Sequence, residues 1–163
     1  MGDGRGTRWL DAEQQGSWRA LVVGVTLLFD RLDEDLQRAF DLSIGEYEIL
    51  VRLSERPERQ MRMAQLADAL AHSRSRVTHT VARMENAGLV IRTSSPEDGR
   101  GIVCRLTDHG FSVLEAAAHV HVQGVREYIV DLAGPEDFRA LGRVMNAVAD
   151  NLIACHPEAD IRP

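Results

Sequence analysis

Five side chains in one short stretch carry most of the recognition chemistry of this sequence. In AHSRSRVTHTVARMENAG, residues 71–88, the groups Arg74, Ser75, Arg76, Thr78 and His79 fall within six consecutive positions. A guanidinium is a planar fork of donors that matches a pair of acceptors, and hydroxyl and imidazole groups add shorter contacts. The same stretch has the spacing of a helix. Val77, Val81 and Met84 recur four and three residues apart, Ser73 suits an N-cap, and Gly88 ends the pattern. The spacing predicts a helix over 73–86 with one buried stripe and a crowd of polar groups at its exposed N-terminal end.

Charge distribution adds to this picture. The chain has 163 residues, 44% of them hydrophobic, and a formal net charge of −6. All 19 basic residues are arginine, with no lysine anywhere. Residues 71–105 hold six arginines (74, 76, 83, 92, 100, 105) against three acids (Glu85, Glu97, Asp98), a local excess of three that leaves nine net negative charges for the remainder. A basic island on an acidic body suits a module that docks locally on a phosphate backbone, and scattered surface charge is the plainer alternative.

The elements that must carry this island follow from periodicity. Trp18, Leu21, Val22, Val25, Leu28, Phe29, Leu32, Leu36 and Phe40 keep a three-to-four spacing, which predicts a long amphipathic helix from about 13 to 40. SIGE, residues 43–46, is a capping box that opens a second helix through Tyr47, Leu50 and Leu53. Pro57 in ERPERQ breaks it. MRMAQLADALAH then suggests a short extended piece at 61–63 and a helix carrying Leu66, Ala67 and Leu70. Two β-type runs, 89–93 and 102–106, flank the turn-rich tip SSPEDGRG and predict a hairpin. Thr107 caps a long helix over about 108–132, with Phe111, Leu114, Ala118, Val122, Val125 and Ile129 on one side. Pro135 suits the first turn of a last helix reaching about residue 154.

Two adjacent helices with a tight turn, followed directly by a hairpin, make a winged helix-turn-helix. With LSIGEYEIL, MAQLADAL, SRSRVTHTVARMENAGLVIR and PEDGRGIVCRLTDHG in this order, the chain resembles the MarR family of transcriptional regulators over residues 10–155. The fold implied is mainly α with a small β wing: a winged helix-turn-helix flanked by long N- and C-terminal dimerisation helices. The expected divisions are a disordered leader (1–8), an N-terminal dimerisation helix (9–42), the DNA-binding domain (43–107), C-terminal dimerisation helices (108–155) and a tail (156–163).

Physics and resemblance together assign the polar groups. The major groove of B-DNA admits one helix and displays a donor–acceptor code that separates all four base pairs. A recognition helix enters with its N-terminal half toward the bases. Arg74, Ser75, Arg76, Thr78 and His79 lie there, and an arginine there can bridge guanine O6 and N7. Ser73, Arg83 and Arg62 are the candidate phosphate contacts. Arg76 is open to a phosphate too, Ser73 equally serves as N-cap, and Arg83 has an intramolecular acid as its other possible partner. The resemblance assigns the wing tip: Arg100 reaches into the minor groove and Asp98 orients it, with Gly99 standing where many members carry another arginine. An arginine there senses groove width more than base identity.

Helices over 18–40 and 108–132 run ~35 Å each at 1.5 Å per residue, close to the diameter of a compact globule of this length. Their ends should project, and their apolar stripes call for a second copy, in line with the homodimer that the resemblance implies. The resemblance also implies a small aromatic or anionic effector between dimer helices and reading head. Trp18, Tyr47, Met61 and Met63 are its candidate lining, and a place in the core is the plainer reading of all four. His119 and His121 stand two apart on a helix and cannot chelate one ion together, so no metal or other cofactor is expected. Cys104 reads as a buried, inert thiol, and Cys104 and Cys155 form no CxxC pair.

No P-loop, Gly-rich dinucleotide fingerprint, HExxH, nucleophile elbow or paired acid and base appears, so the sequence does not read as an enzyme. No apolar run approaches the ~20 residues of a membrane span, and the polar, Gly-rich start lacks a signal-peptide core, so the protein is read as cytoplasmic. The partners expected are a double-stranded DNA operator, a second copy and a small ligand. The alternative is a winged-helix module that binds another protein, which the acidic body permits.

Overall fold

The computed structural model describes residues 6–94 and 101–153. Helix α1 (Ala12–Phe40) opens on a capping box, in which Asp11 accepts from the Gln14 amide and Gln14 returns to the Asp11 amide. Helix α2 (Ile44–Ser54) opens on a second box, made by Ser43 and Glu46 as SIGE predicts. After a 3₁₀ turn (Pro57–Arg59) come strand β1 (Gln60–Arg62), helix α3 (Met63–Ala69) and helix α4 (Arg74–Asn86). Strands β2 (Val90–Ser94) and β3 (Ile102–Leu106) form the wing. Helix α5 (Asp108–Val125) runs into a π-helical turn (Arg126–Val130), and helix α6 (Pro135–Ile153) ends the described chain.

The sheet has the order β1-β3-β2 and is antiparallel throughout, with Cys104 of β3 opposite Met61 on one side and Arg92 on the other. It packs beside α2, α3 and α4 around one core. Leu36, Leu50, Leu53, Leu66, Val81 and Met84 are fully buried there. The stripe Val77, Val81 and Met84 is the only buried part of α4, as its spacing requires.

Two boundaries and one buried face differ from expectation. The first wing strand starts at Val90, because Leu89 is spent on the helix end: its amide donates to the Met84 carbonyl at 2.9 Å, with Gly88 at φ +72°. That is a Schellman close, in which a left-handed residue turns the chain out of the helix. The long helix after the wing changes to π geometry at Arg126, with the Asp131 amide reaching the Arg126 carbonyl at 2.8 Å. Its buried face is also rotated from the predicted one. Gly110, Leu114, Ala117 and Gly124 are buried, whereas Val122 is 55% exposed, so Val122 does not belong to the inward stripe. The reason is close approach. A Cβ on Gly110 would lie 2.1 Å from the Leu89 carbonyl oxygen, and one on Gly124 would lie 2.9 Å from Leu32 of α1.

Thr107 joins the wing to α5 without a linker. Its hydroxyl lies 2.7 Å from the Gly88 carbonyl and 3.0 Å from that of Leu89, and it accepts from the Gly110 amide at 2.9 Å. The exit of α4, the root of the wing and the start of α5 thus meet at one side chain. Among the described residues no helix is long and apolar enough to cross a membrane.

Candidate nucleic-acid interface

Helix α4 is held from behind and open in front. The side chains of Arg74, Ser75, Arg76, Thr78 and His79 are all exposed. Ser73 caps the helix, its hydroxyl accepting from the Arg76 amide at 3.3 Å. Just before it, Ala71 takes a left-handed conformation at φ 50°, which sharpens the turn between α3 and α4. Burial, and then the neighbouring charge of Arg76, push the His72 imidazole in this turn below its ordinary value, with Glu48 acting the other way.

The five exposed groups divide by angle. Residues 74 and 78 lie 40° apart around the axis, as do 75 and 79, at 100° per residue. Arg76 belongs to a different row, with Thr80 and Arg83, and the three line a cleft of about 190 Å³ together with Ser43 and Gly45 of α2. The Thr78 hydroxyl donates to the Arg74 carbonyl at 2.8 Å, so toward an external partner its oxygen is an acceptor.

Two arginine–glutamate pairs brace α4. Arg83 Nε donates to Glu46 Oε1 of α2 at 2.8 Å. Two residues further along the same turn, Glu85 Oε1 accepts from the Arg92 backbone amide of β2 at 2.8 Å, and Arg92 Nε and Nη2 donate to Glu85 Oε2 at 2.9 and 2.6 Å. Burial pushes the Glu46 carboxyl up, but hydrogen bonds from Ser43 and Arg83 outweigh it and leave Glu46 below the usual carboxylate range. Glu85 is also lowered, by its hydrogen bonds from Arg92. The intramolecular acid that the sequence left open for Arg83 is Glu46, whereas the pair of Glu85 and Arg92 was not assigned from the sequence. SIGE identifies Glu46 as a capping residue, but a partner 37 positions away is set only by the fold.

The remaining expected residues are scattered. Arg62 ends β1, half-buried, paired in register with Val103 near the start of β3, away from the root of the wing. Asp98 and Arg100 lie outside the described residues. Of the four candidate effector residues, Met61 is buried in the core and Met63 packs against it, while Trp18 is 57% exposed on α1. Only Tyr47 lines the larger cavity, of about 500 Å³, between α1, α2 and α5, where Leu32, Val51, His121 and Val125 also stand. The Tyr47 and His121 rings lie 4.6 Å apart, and His121 Nδ1 is buried without a hydrogen-bond partner among the described residues. Burial lowers the His121 imidazole and raises the Tyr47 phenol, so both are uncharged at neutral pH. Burial, with a smaller contribution from Glu85, pushes the Cys104 thiol up to about 12 against the opposing charge of Arg92, which makes it a poor nucleophile.

Comparison with known proteins decides what this arrangement belongs to. The model of the MarR family matches residues 40–101, the span from the end of α1 to the wing. The HTH-type transcriptional regulator PecS of Dickeya dadantii is 31% identical over 139 residues, covering 80% of this chain and 84% of PecS. The chain belongs to the MarR family. Solved MarR structures extend the match to the helices outside the reading head. Sco3205, a MarR family transcriptional regulator from Streptomyces coelicolor solved in complex with DNA, is 42% identical at a TM-score of 0.87, covering 91% of this chain and 93% of its own. AbsC from the same organism is 41% identical at 0.86, covering 91% and 99%. These MarR relatives are transcriptional regulators rather than enzymes.

Proposed function

We propose that this MarR-family regulator binds a palindromic DNA operator as a homodimer, represses transcription there, and is released by a small effector. One observation carries the reading of DNA contact: the N-terminal half of α4 presents Arg74, Ser75, Thr78 and His79 to solvent while Val77, Val81 and Met84 fix the opposite face in the core. Arg74 is the base reader, with its fork on guanine O6 and N7. The acceptor oxygen of Thr78 suits an exocyclic amine of cytosine or adenine. Arg76, set in the row that faces α2, serves the phosphate backbone beside Ser73 and Arg62. Asp98 and Arg100 of the wing remain the proposed minor-groove contact.

The homodimer is supported by α6, which is amphipathic yet buries none of its residues within the chain. A two-fold dimer through α1 and α6 places two copies of α4 one turn of DNA apart, ~34–36 Å. The effector reading is supported by the cavity of about 500 Å³ where α1 and α5 meet the reading head, a volume suited to a small organic ligand. A ligand that binds the mismatched spacing of the α4 helices better than the matched one weakens the operator complex by ~1–3 kcal/mol without touching DNA.

Selecting bound duplexes from a random pool with the purified protein tests the central part. Enrichment of a palindrome is expected. No enrichment would replace this reading with that of a winged-helix protein that binds another protein.

A further inference from the structure

Apolar packing sets how deep α4 sits, but it sets the rotation of the helix only loosely, because hydrophobic contacts are non-directional. Charge-assisted hydrogen bonds are directional, and one of them ties the last turn of α4 to its support. Arg83 Nε donates to Glu46 Oε1 at 2.8 Å, and Arg83 Nη2 lies 3.5 Å from the Ser43 hydroxyl oxygen. Among the described residues Glu46 is the one buried charged side chain, 5% exposed. Its other oxygen, Oε2, accepts from the Ser43 amide at 2.8 Å and the Ser43 hydroxyl at 2.7 Å. The next amide, that of Ile44, donates to Asp33 Oδ1 of α1 at 2.7 Å. A continuous polar chain therefore runs from α4 through the first turn of α2 to α1.

We infer that Glu46 and Arg83 are a positioning pair for DNA recognition: they set the rotation of α4, and Arg83 acts on DNA through Glu46 rather than by holding a phosphate. The inference rests on the reading of α4 as the DNA-contacting helix. Arg83 follows Arg74 by nine residues, 180° around the helix at 100° per residue, so a tether at Arg83 acts opposite the base reader. Turning α4 enough to move Arg74 off its base would break the Glu46 contact and leave a buried carboxylate with one partner fewer. The cost of an uncompensated buried charge is what gives the pair its hold.

The test uses the full chain and an operator selected with the wild type. Glu46→Gln keeps the acceptor that caps Ser43 but removes the charge facing Arg83, and Arg83 is exposed enough for Arg83→Ala to fold. Thermal melts of both check this. Operator affinity is then measured against salt for the wild type, both single variants and the double variant. Each single variant is expected to bind the operator about tenfold more weakly, and the double variant no more weakly than either. The slope of log affinity against log salt is expected to stay at the wild-type value, and discrimination against one-base operator variants to narrow. The inference is overturned if Arg83→Ala reduces that slope by about 0.9, the share of one released phosphate counterion, while Glu46→Gln binds as the wild type. It is equally overturned if the two losses multiply in the double variant. A wild type that enriches no sequence would instead sink the DNA-binding reading, before any variant is made.

Discussion

Leu50, Leu53, Leu66, Val81 and Met84 of the reading head are withdrawn from water, whereas Trp18, Val23 and Leu27 of α1 and Val144 and Leu152 of α6 are each more than half exposed. The two sets have similar composition and opposite fates. The reading head encloses its apolar residues with strands, a tight turn and three short helices, joined by Leu36 of α1 and by Leu114 and Ala117 of α5. The end helices are too long to be wrapped by what remains of the chain, so α1 buries only Leu32 and Leu36 and α6 buries nothing. The difference teaches that the head closes its own core while the end helices leave apolar faces open, the faces that the proposed homodimer would cover.

The comparison breaks most visibly on α6. Val144→Glu with Leu152→Glu should leave the helical signal of the head in place but convert the protein to monomers in sedimentation. Operator affinity should fall by at least about a hundredfold, because two linked half-site contacts become one. A dimer that survived both charges would mean that α6 faces solvent in the assembly.

Where α5 meets the head the largest effect should come from Gly110→Ala. The added Cβ meets backbone, the Leu89 carbonyl, which no side-chain rearrangement can move aside. A loss of about 3 kcal/mol is expected from denaturant titration, at the upper end of ordinary overpacking. The same substitution at Gly142 of α6, where a Cβ meets nothing within 4 Å, should not destabilise the chain.

Arg74→Ala should leave stability unchanged and weaken operator binding by ~1–3 kcal/mol, with relaxed preference at one base per half-site. Equal weakening on all sequences, read by competition with unrelated duplexes, would make Arg74 a phosphate contact. Acid should also separate the regions. Glu46 has its carboxyl below the usual value in the folded head, so its contribution is complete above the unfolded value, ~4.3, and is lost as pH falls through the folded one. Melting temperature should therefore drop on acidification, and Glu46→Gln should flatten that drop. The smallest effect is expected at Ala71, held at φ 50°. Ala71→Gly removes the left-handed strain at some cost in chain entropy, and should raise stability by no more than about 1 kcal/mol in the same titration.

Periodicity and capping residues made the head legible. Ser43, Ser73, Thr107 and Pro135 mark helix starts that the structure keeps, and Val77, Val81 and Met84 are the buried stripe that their spacing predicts. Such signals act within a few residues, which is why they survive without knowledge of the fold. What the sequence left open or missed acts over distance. The Arg83 and Glu46 contact spans 37 positions, and that of Tyr128 with Asp35, at 2.7 Å, spans 93. The four candidate effector residues separate for a related reason, Met61 taking the place in the core that was its plainer reading. Met61 and Trp18 were grouped by chemical type, but the register of β1 buries the one and the unpartnered face of α1 exposes the other. His121, which does line the cavity, sits on a helix whose inward face is set by the glycines at 110 and 124 rather than by its largest apolar residues.

The most direct measurement is the mass of the protein on its selected duplex. Sedimentation of the complex at increasing protein concentration should show two chains per duplex with no one-chain species preceding them, on half-sites centred about 10 base pairs apart. One chain bound per duplex, or an enriched sequence without two-fold symmetry, would contradict the account of a finished head carried on an unfinished pair of helices.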